Sequence, residues 1–368
     1  MMTKNRDIQF IKPCRGVDEG HRELTPEYAF ECFKQGKVVQ INLDNCSIQR
    51  MEQLPENPSI GDAERVGLLP LVHILQKSPL ISLTAIGVNE MPDKHVANSM
   101  RAYQRFCDKF WPGHKDDSEA THRSFDELSA ERKIDFKELS DEARCTYGMS
   151  YVAMLQIQNI KLNHSGKSPA EQFEIYIHSM ISLIDILNAF DMEIAKYAFW
   201  GLSAHEINKL PEPIQNRRRD IKNNFTKTGK TIAKCRWLAF DAAMDIHWLS
   251  GSNFAEDLGV TLDVLGKKFK IDNWVGTNDH KLFNICYDIH WVYYEGSNMK
   301  LLAVTREEEL SNLKYWKHVD QFAEQITKFR KNSGYNSNEN LLSNIDSSVE
   351  HIEKEICSYL EKVSDTPI

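Results

Sequence analysis

The sequence predicts an α/β fold, and three observations carry the prediction. A run rich in β-branched residues, Val38 to Leu43, follows Gly36 and ends on Asp44. A second strand-like run, about Asn273 to Gly276, stops at the polar turn Thr277-Asn278-Asp279. Between them, residues 95 to about 205 show mainly helical spacing of apolar side chains. Short apolar runs bounded by turn residues have the form of buried parallel strands, and in open α/β sheets ligands bind at the carboxyl ends of such strands.

The elements follow in chain order. Thr25-Pro26 opens a short helix to about Gln35. After the strand ending at Asp44, Gly61 to Lys77 carries Val66, Leu69, Leu71, Val72 and Leu75 at helical spacing, and Ser78-Pro79 stops it. LISLTAIGVNE is apolar and ends in Gly87 and Glu90; periodicity leaves it strand or helix. Ser168-Pro169-Ala170-Glu171 starts a helix expected to run to Trp200. Leu210-Pro211-Glu212-Pro213 is the sharpest break and a candidate hinge. Thr231 to Ser250 reads as a helix closed by Gly251, with Asp241 and Asp245 one turn apart on one face. A strand at about 273–276, a helix from about His280, a strand from Ile289 to Tyr294 and helices at Arg306–Arg330 and Leu341–Val363 complete the chain. Four segments are therefore expected: 1–94 as the first part of an α/β core, 95–210 as a helical insertion or lobe, 211–303 as the second part of the core, and 304–368 as C-terminal helices.

Composition narrows the class. At 368 residues the chain is long enough for one large domain with insertions or for two. No window approaches the roughly 20 apolar residues needed to span a bilayer, and MMTKNRDIQF lacks a signal-peptide core. A cytoplasmic protein with no membrane partner is expected. The eight cysteines include no Cys-x-x-Cys pair, which disfavours zinc knuckles and disulfide frameworks. Net charge is −8, so general electrostatic attraction to nucleic acid is not expected. The stretch from Arg217 to Arg236 is the local exception: Arg217, Arg218, Arg219, Lys222, Lys227, Lys230, Lys234 and Arg236 face one acid, Asp220.

Chemistry points to the positions of the acids. Asp44 and Asp279 each end a strand, while Glu90 and Asp241 stand on elements expected beside the same sheet edge. Converging carboxylates repel unless a cation neutralises them, which implies Mg2+ or Mn2+. Such ions keep waters, and a metal-bound water serves phosphodiester cleavage without a covalent residue. A single acid in isolation would instead be read as a helix N-cap or a surface ion pair.

The ordered set, VVQINLDN with Asp44, ISLTAIGVNE with Glu90, FDAAMDIHWL with Asp241 or Asp245, and WVGTNDHKLFNIC with Asp279, resembles the acids of the PIN-domain ribonucleases, which include toxin components of bacterial toxin–antitoxin pairs. Asp-Ala-Ala favours Asp241 as the third acid. The position two after the first aspartate, often Asn, Ser or Thr in that family, is Cys46 here. The resemblance implies a central parallel sheet flanked by helices, Mg2+ or Mn2+ held by Asp44, Glu90, Asp241, Asp245 and Asp279, and RNA as substrate. It implies that Thr277 supports the site through its hydroxyl, and that the protein is an endonuclease serving as a toxin or defence effector. Arg217, Arg218, Arg219, Lys230, Lys234 and Arg236 would then track phosphates.

Other motifs are weaker. His205-Glu206 lacks the second histidine of a metalloprotease, and Thr228-Gly229-Lys230-Thr231 lacks the first glycine of a phosphate loop. His247 and His280 are read as structural rather than metal-binding. Phe322, Ile326, Phe329 and the apolar positions of Leu341–Leu360 would suit an inhibitory or accessory protein, or a homo-oligomer. The alternative functions are a non-catalytic module binding nucleic acid or protein, and a phosphohydrolase of small phosphoesters.

Overall fold

A mixed sheet belongs to the first of two units into which the chain divides, Met1–Arg132 with Trp248–Cys286; Lys133–His247 with Tyr287–Ile368 make the second. The computed structural model describes residues 7–13, 23–90, 93–112, 136–257, 259–264, 266–279, 289–293, 300–304, 306–332 and 340–364.

In unit 1 the strands are β1 (Gln9–Ile11), β2 (Lys37–Leu43), β3 (Ile81–Thr84), β4 (Thr261–Val264) and β5 (Lys267–Thr277). β2 runs parallel to β3 on one side and to β5 on the other, while β1 and β4 pair with β5 in antiparallel sense. The near-continuous apolar character of β2 follows from this central position, with Val39, Ile41 and Leu43 buried on one face. That face joins Leu83, Trp274, Ile48 and Met51 in a single hydrophobic core. Of the alternate positions of β2, Val38 is apolar and buried, while Gln40 and Asn42 are polar but paired: Gln40 Nε2 and Thr84 Oγ1 each donate to Asn42 Oδ1 at 3.0 Å, and Asn42 Nδ2 donates to Asn273 Oδ1 at 3.3 Å. Buried amides are stable only when satisfied in this way.

Helices α1 (Pro26–Lys34), α2 (Asn45–Glu52), α3 (Ile60–Arg65), α4 (Leu69–Lys77) and α5 (Asp93–Phe110) complete unit 1 with a 3-10 turn at Ile86–Glu90. The helix expected over Gly61–Lys77 is two, because Gly67 takes a positive φ of 81° that ends α3 before Pro70 enters α4. LISLTAIGVNE resolves into β3 and the 3-10 turn. β1 and β4 carry no clear signal in the sequence: β1 is three residues long, and β4 is joined to β5 around Gly266, whose φ is 75°.

Unit 2 contains α6 (Asp141–Asn163), α7 (Pro169–Leu183), α8 (Ala189–Phe199), α9 (Ala204–Ile207), α10 (Glu212–Phe225) and the first part of α11 (Ile232–Asp257). After the hairpin of β6 (Ile289–Tyr293) and β7 (Lys300–Val304) come α12 (Glu308–Ser311), α13 (Lys314–Asn332) and α14 (Leu341–Ser364). The helix expected from Pro169 to Trp200 is broken at Asp185, which holds φ 55°, and restarts where Asn188 Oδ1 accepts the Phe190 N–H at 2.9 Å. Gly251 does not close α11, which continues six residues beyond it. Pro211 caps α10 inside unit 2. The divisions expected near 94, 210 and 303 thus differ from those of the two units. The helix expected from His280 lies outside the described residues.

α14 packs along α6, where a Cβ on Gly148 would lie 2.7 Å from Ile345 Cγ2. Ile345, Val349, Ile352 and Ile356 are buried there, so these apolar positions of α14 serve the interior of unit 2. No helix among the described residues is long and apolar enough to cross a membrane.

Candidate functional site

Asp44 and Asp279 follow the carboxyl ends of adjacent parallel strands, β2 and β5. β3 and β5 lie on opposite sides of β2, so the chain changes direction across the sheet at this edge, the usual site of ligand crevices in α/β folds. Asp44 occupies the N-cap position of α2 with extended backbone, but its side chain makes no cap hydrogen bond. Its Oδ2 instead accepts from Thr277 Oγ1 at 2.6 Å and from Cys46 Sγ at 2.7 Å. The ordinary N-cap reading of this acid therefore does not describe it.

Thr277 sets the geometry. Its Oγ1 accepts the Asp279 backbone N–H at 2.8 Å, which leaves the hydroxyl proton for Asp44. One buried hydroxyl thus ties together the two strand ends that carry acids. Cys46 Sγ lies 3.2 Å from the same Oγ1, and so takes the position, two after the aspartate, at which the resemblance leads one to expect a small polar side chain. Ser47 Oγ reaches Gly276 O at 3.1 Å and Asn278 Oδ1 at 2.9 Å, and the Asp44 N–H donates to Gly276 O at 3.0 Å. These bonds fasten the start of α2 to the end of β5.

The surroundings disfavour charge on Asp44. Burial pushes its carboxyl above the usual carboxylate range, the neighbouring Asp279 charge pushes it further, and the Cys46 and Thr277 hydrogen bonds only partly oppose this. Burial, and then the Asp44 charge, also push the Cys46 thiol well up, so it serves as a donor rather than a thiolate.

Glu90 ends the 3-10 turn; its side chain lies outside the described residues. Its segment does approach Asp44: a Cβ on Gly87 would stand 2.4 Å from Asn45 N and 2.5 Å from Leu43 O. Only glycine allows that backbone to lie against the end of β2. Asp241 and Asp245 are one turn apart on α11 in the part belonging to unit 2, Asp241 exposed and Asp245 half-buried. Although the residue is exposed, partial desolvation of its carboxyl by the surrounding chain raises the Asp241 pKa, against the pull of Lys234 and Lys227. The site built from unit 1 is therefore Asp44, Thr277 and Asp279, with Cys46, Ser47 and Asn278 as residues that strand-end reasoning missed. Their signal was adjacency to the two acids in sequence. Among the described residues no group of three or more His, Cys, Asp or Glu is gathered to hold a metal ion.

The basic run divides into two kinds of residue. Arg217 is buried, donating Nε to Tyr197 Oη at 2.8 Å and Nη2 to Glu307 Oε2 at 2.8 Å. Arg236 makes a bidentate pair with Glu353, both bonds 2.7 Å, and Arg218 turns to Trp200. Arg217 and Arg236 are thus committed to acids within unit 2, whereas Arg218 has no carboxylate partner among the described residues. Arg219, Lys230 and Lys234 are exposed, Lys234 with its Nζ 3.4 Å from the Trp237 ring centre. Gly229 of the Gly-Lys-Thr triplet is a packing residue: a Cβ there would lie 2.5 Å from Cys235 N. Glu206 completes a capping box with Ser203 on α9. His247 is half-buried and packs edge-on against Tyr147, and desolvation of its ring pushes its pKa down to about 4. His280 lies outside the described residues. Comparison of the chain with protein-family models, with curated proteins and with solved structures found no match.

Proposed function

We propose that this chain is a PIN-like metal-dependent nuclease that hydrolyses phosphodiester bonds, with RNA as its substrate. The observation that carries the reading is the pairing of Asp44 with Asp279 at neighbouring strand ends, joined through Thr277, with burial and the second acid holding the Asp44 carboxyl up. The donor chemistry fits a hard divalent ion. Mg2+ commonly takes only one or two carboxylates and keeps waters for the remaining positions, so the pair suffices as a protein contribution without a closed cage. Asp44 and Asp279 would hold Mg2+ or Mn2+, with Glu90 on the turn beside them.

When bound, such an ion lowers the pKa of a coordinated water and offsets charge on the leaving oxygen. The protein's own part is orientation. Thr277 holds Asp44 Oδ2 in place, Cys46 supplies a second donor to it, and Gly87 lets the Glu90 turn lie against Asn45. Arg219, Lys230 and Lys234, exposed along the basic run, are the candidates for backbone phosphates.

Asp44→Asn and Asp279→Asn should each abolish Mg2+- or Mn2+-dependent cleavage of single-stranded RNA, with circular dichroism unchanged. Full activity in both variants would remove the reading. A chromogenic phosphoester should not be turned over appreciably; turnover would instead favour a small-phosphoester phosphohydrolase.

A further inference from the structure

Among the described residues of unit 2, buried and half-buried cations are, with one group excepted, matched by acids. Arg217 meets Glu307, Arg236 meets Glu353, and Arg306 meets Glu193 and Asp320. The exception is Lys161 of α6 with Arg218 and Lys222 of α10. All three are half-buried, and among the described residues none has a carboxylate partner. Arg218 and Lys222 stand one turn apart, a spacing at which like charges destabilise a helix.

Their hydrogen bonds go to backbone carbonyls. Arg218 Nη2 at 3.3 Å and Lys222 Nζ at 2.8 Å share one acceptor, Trp200 O, while Lys161 Nζ donates to Thr226 O at 2.5 Å. Trp200 and Thr226 follow the last turns of α8 and α10, whose partial negative ends favour a cation. Two such ends supply roughly half a charge each, against three full positive charges. The guanidinium of Arg218 is held over the Trp200 ring, 5.3 Å from its centre, and its Nε is buried with no hydrogen-bond partner. The imbalance registers at Lys222: burial, then Arg218 and Lys161, push its pKa down to about 8.

We infer that Lys161, Arg218 and Lys222 form a binding site for a phosphate-type oxyanion. A tetrahedral anion offers several acceptor oxygens at once, so it can take the free Arg218 Nε and the remaining ammonium protons of two lysines. It also supplies the negative charge that two helix ends do not. The site lies within unit 2 and is independent of the nuclease reading. Its anion is either a free phosphoryl group or a phosphodiester of a nucleic-acid backbone, the two sources sharing the recognised chemistry.

The test is calorimetric titration of the whole chain with inorganic phosphate, at ionic strength held constant with chloride. One saturable site is expected, weakened at least tenfold by Lys222→Met and by Arg218→Met and retained by Lys222→Arg. Because each Met variant removes a repelled charge, its thermal midpoint in chloride should equal or exceed that of the parent, which separates lost binding from lost fold. A single-stranded oligoribonucleotide that competes with phosphate, and binds Lys222→Met at least tenfold more weakly, would assign the anion to a nucleic-acid backbone. Saturable phosphate binding without such competition would assign it to a free phosphoryl group. Absence of phosphate binding above chloride, or equal affinity in Lys222→Met, would overturn the proposal.

Discussion

In unit 2, Glu193 and Asp320 surround Arg306: its Nη2 donates to Glu193 Oε2 and to Asp320 Oδ1, both at 2.9 Å, and Lys196 Nζ lies 2.7 Å from Asp320 Oδ1. Burial alone would raise both carboxyls, but Arg306 and Lys196 outweigh it and hold them low. In unit 1, Asp44 is buried as Glu193 is, yet its described neighbours are a hydroxyl, a thiol and a second acid, and its carboxyl is pushed up. Both regions hold a buried carboxyl; the difference, among the described residues, is whether the network supplies the counter-charge to that carboxyl itself. A network that does so is complete as folded, and it acts as architecture. One that does not is strained by its own charge and is suited to an external cation.

The largest effect should come from breaking the complete network. Arg306→Ala leaves Glu193 buried without its main partner and should cost about 3–5 kcal/mol, read as a lower denaturation midpoint at unchanged slope. An undiminished midpoint would erase the contrast between the regions.

Asp191 tests burial without a counter-charge. It is buried in unit 2 with Ser150 Oγ at 3.2 Å from Oδ2 and no partner on Oδ1, and burial pushes its pKa up to about 7. The folded state therefore holds this proton where the unfolded state, with a pKa of about 3.9, has released it. Stability should fall as pH rises from about 4 to about 7, with a slope approaching 1.4 kcal/mol per pH unit. Asp191→Asn should flatten that slope in denaturation series; an unchanged slope would assign it elsewhere.

Gly87→Ala sharpens the unit 1 side. The added carbon meets backbone rather than a movable side chain, so the cost should reach the upper end of overpacking, about 3 kcal/mol. Crystallography or hydrogen exchange should show the Ile86–Glu90 turn displaced. The smallest effect is expected from Thr277→Val, which removes the shared hydroxyl from Asp44 and the Asp279 N–H at a cost of about 1–3 kcal/mol. Thr277→Ser should recover most of it. Equal stability of the Val and Ser variants would show that the hydroxyl does not join the strand ends.

Local signals were legible where local physics decides. Thr25, Ser168 and the prolines after them mark helix starts that the structure contains, since capping involves only neighbouring residues. β2 and the end of β5 were legible because a strand in the middle of a sheet has to be apolar on its packed face. Less legible were the breaks at Gly67 and Asp185, where single positive-φ residues interrupt otherwise helical spacing, and the continuation of α11 through Gly251. A glycine costs a helix interior only about 1 kcal/mol, which neighbouring contacts readily offset.

The candidate site divides in the same way. By itself the amino-acid sequence determined that Asp44 and Asp279 would each follow a strand, because apolar runs and polar turns are properties of contiguous residues. Only the tertiary structure decided that the two strands are neighbours, that Thr277 bonds across them, and that Cys46 and Gly87 belong to the same cluster. It also decided that Arg217 and Arg236, indistinguishable in sequence from Arg219, are paired with Glu307 and Glu353, 90 and 117 residues away. Charge type is written in the chain, but whether a charge finds a partner depends on residues far apart in sequence, brought together by burial of the core around them.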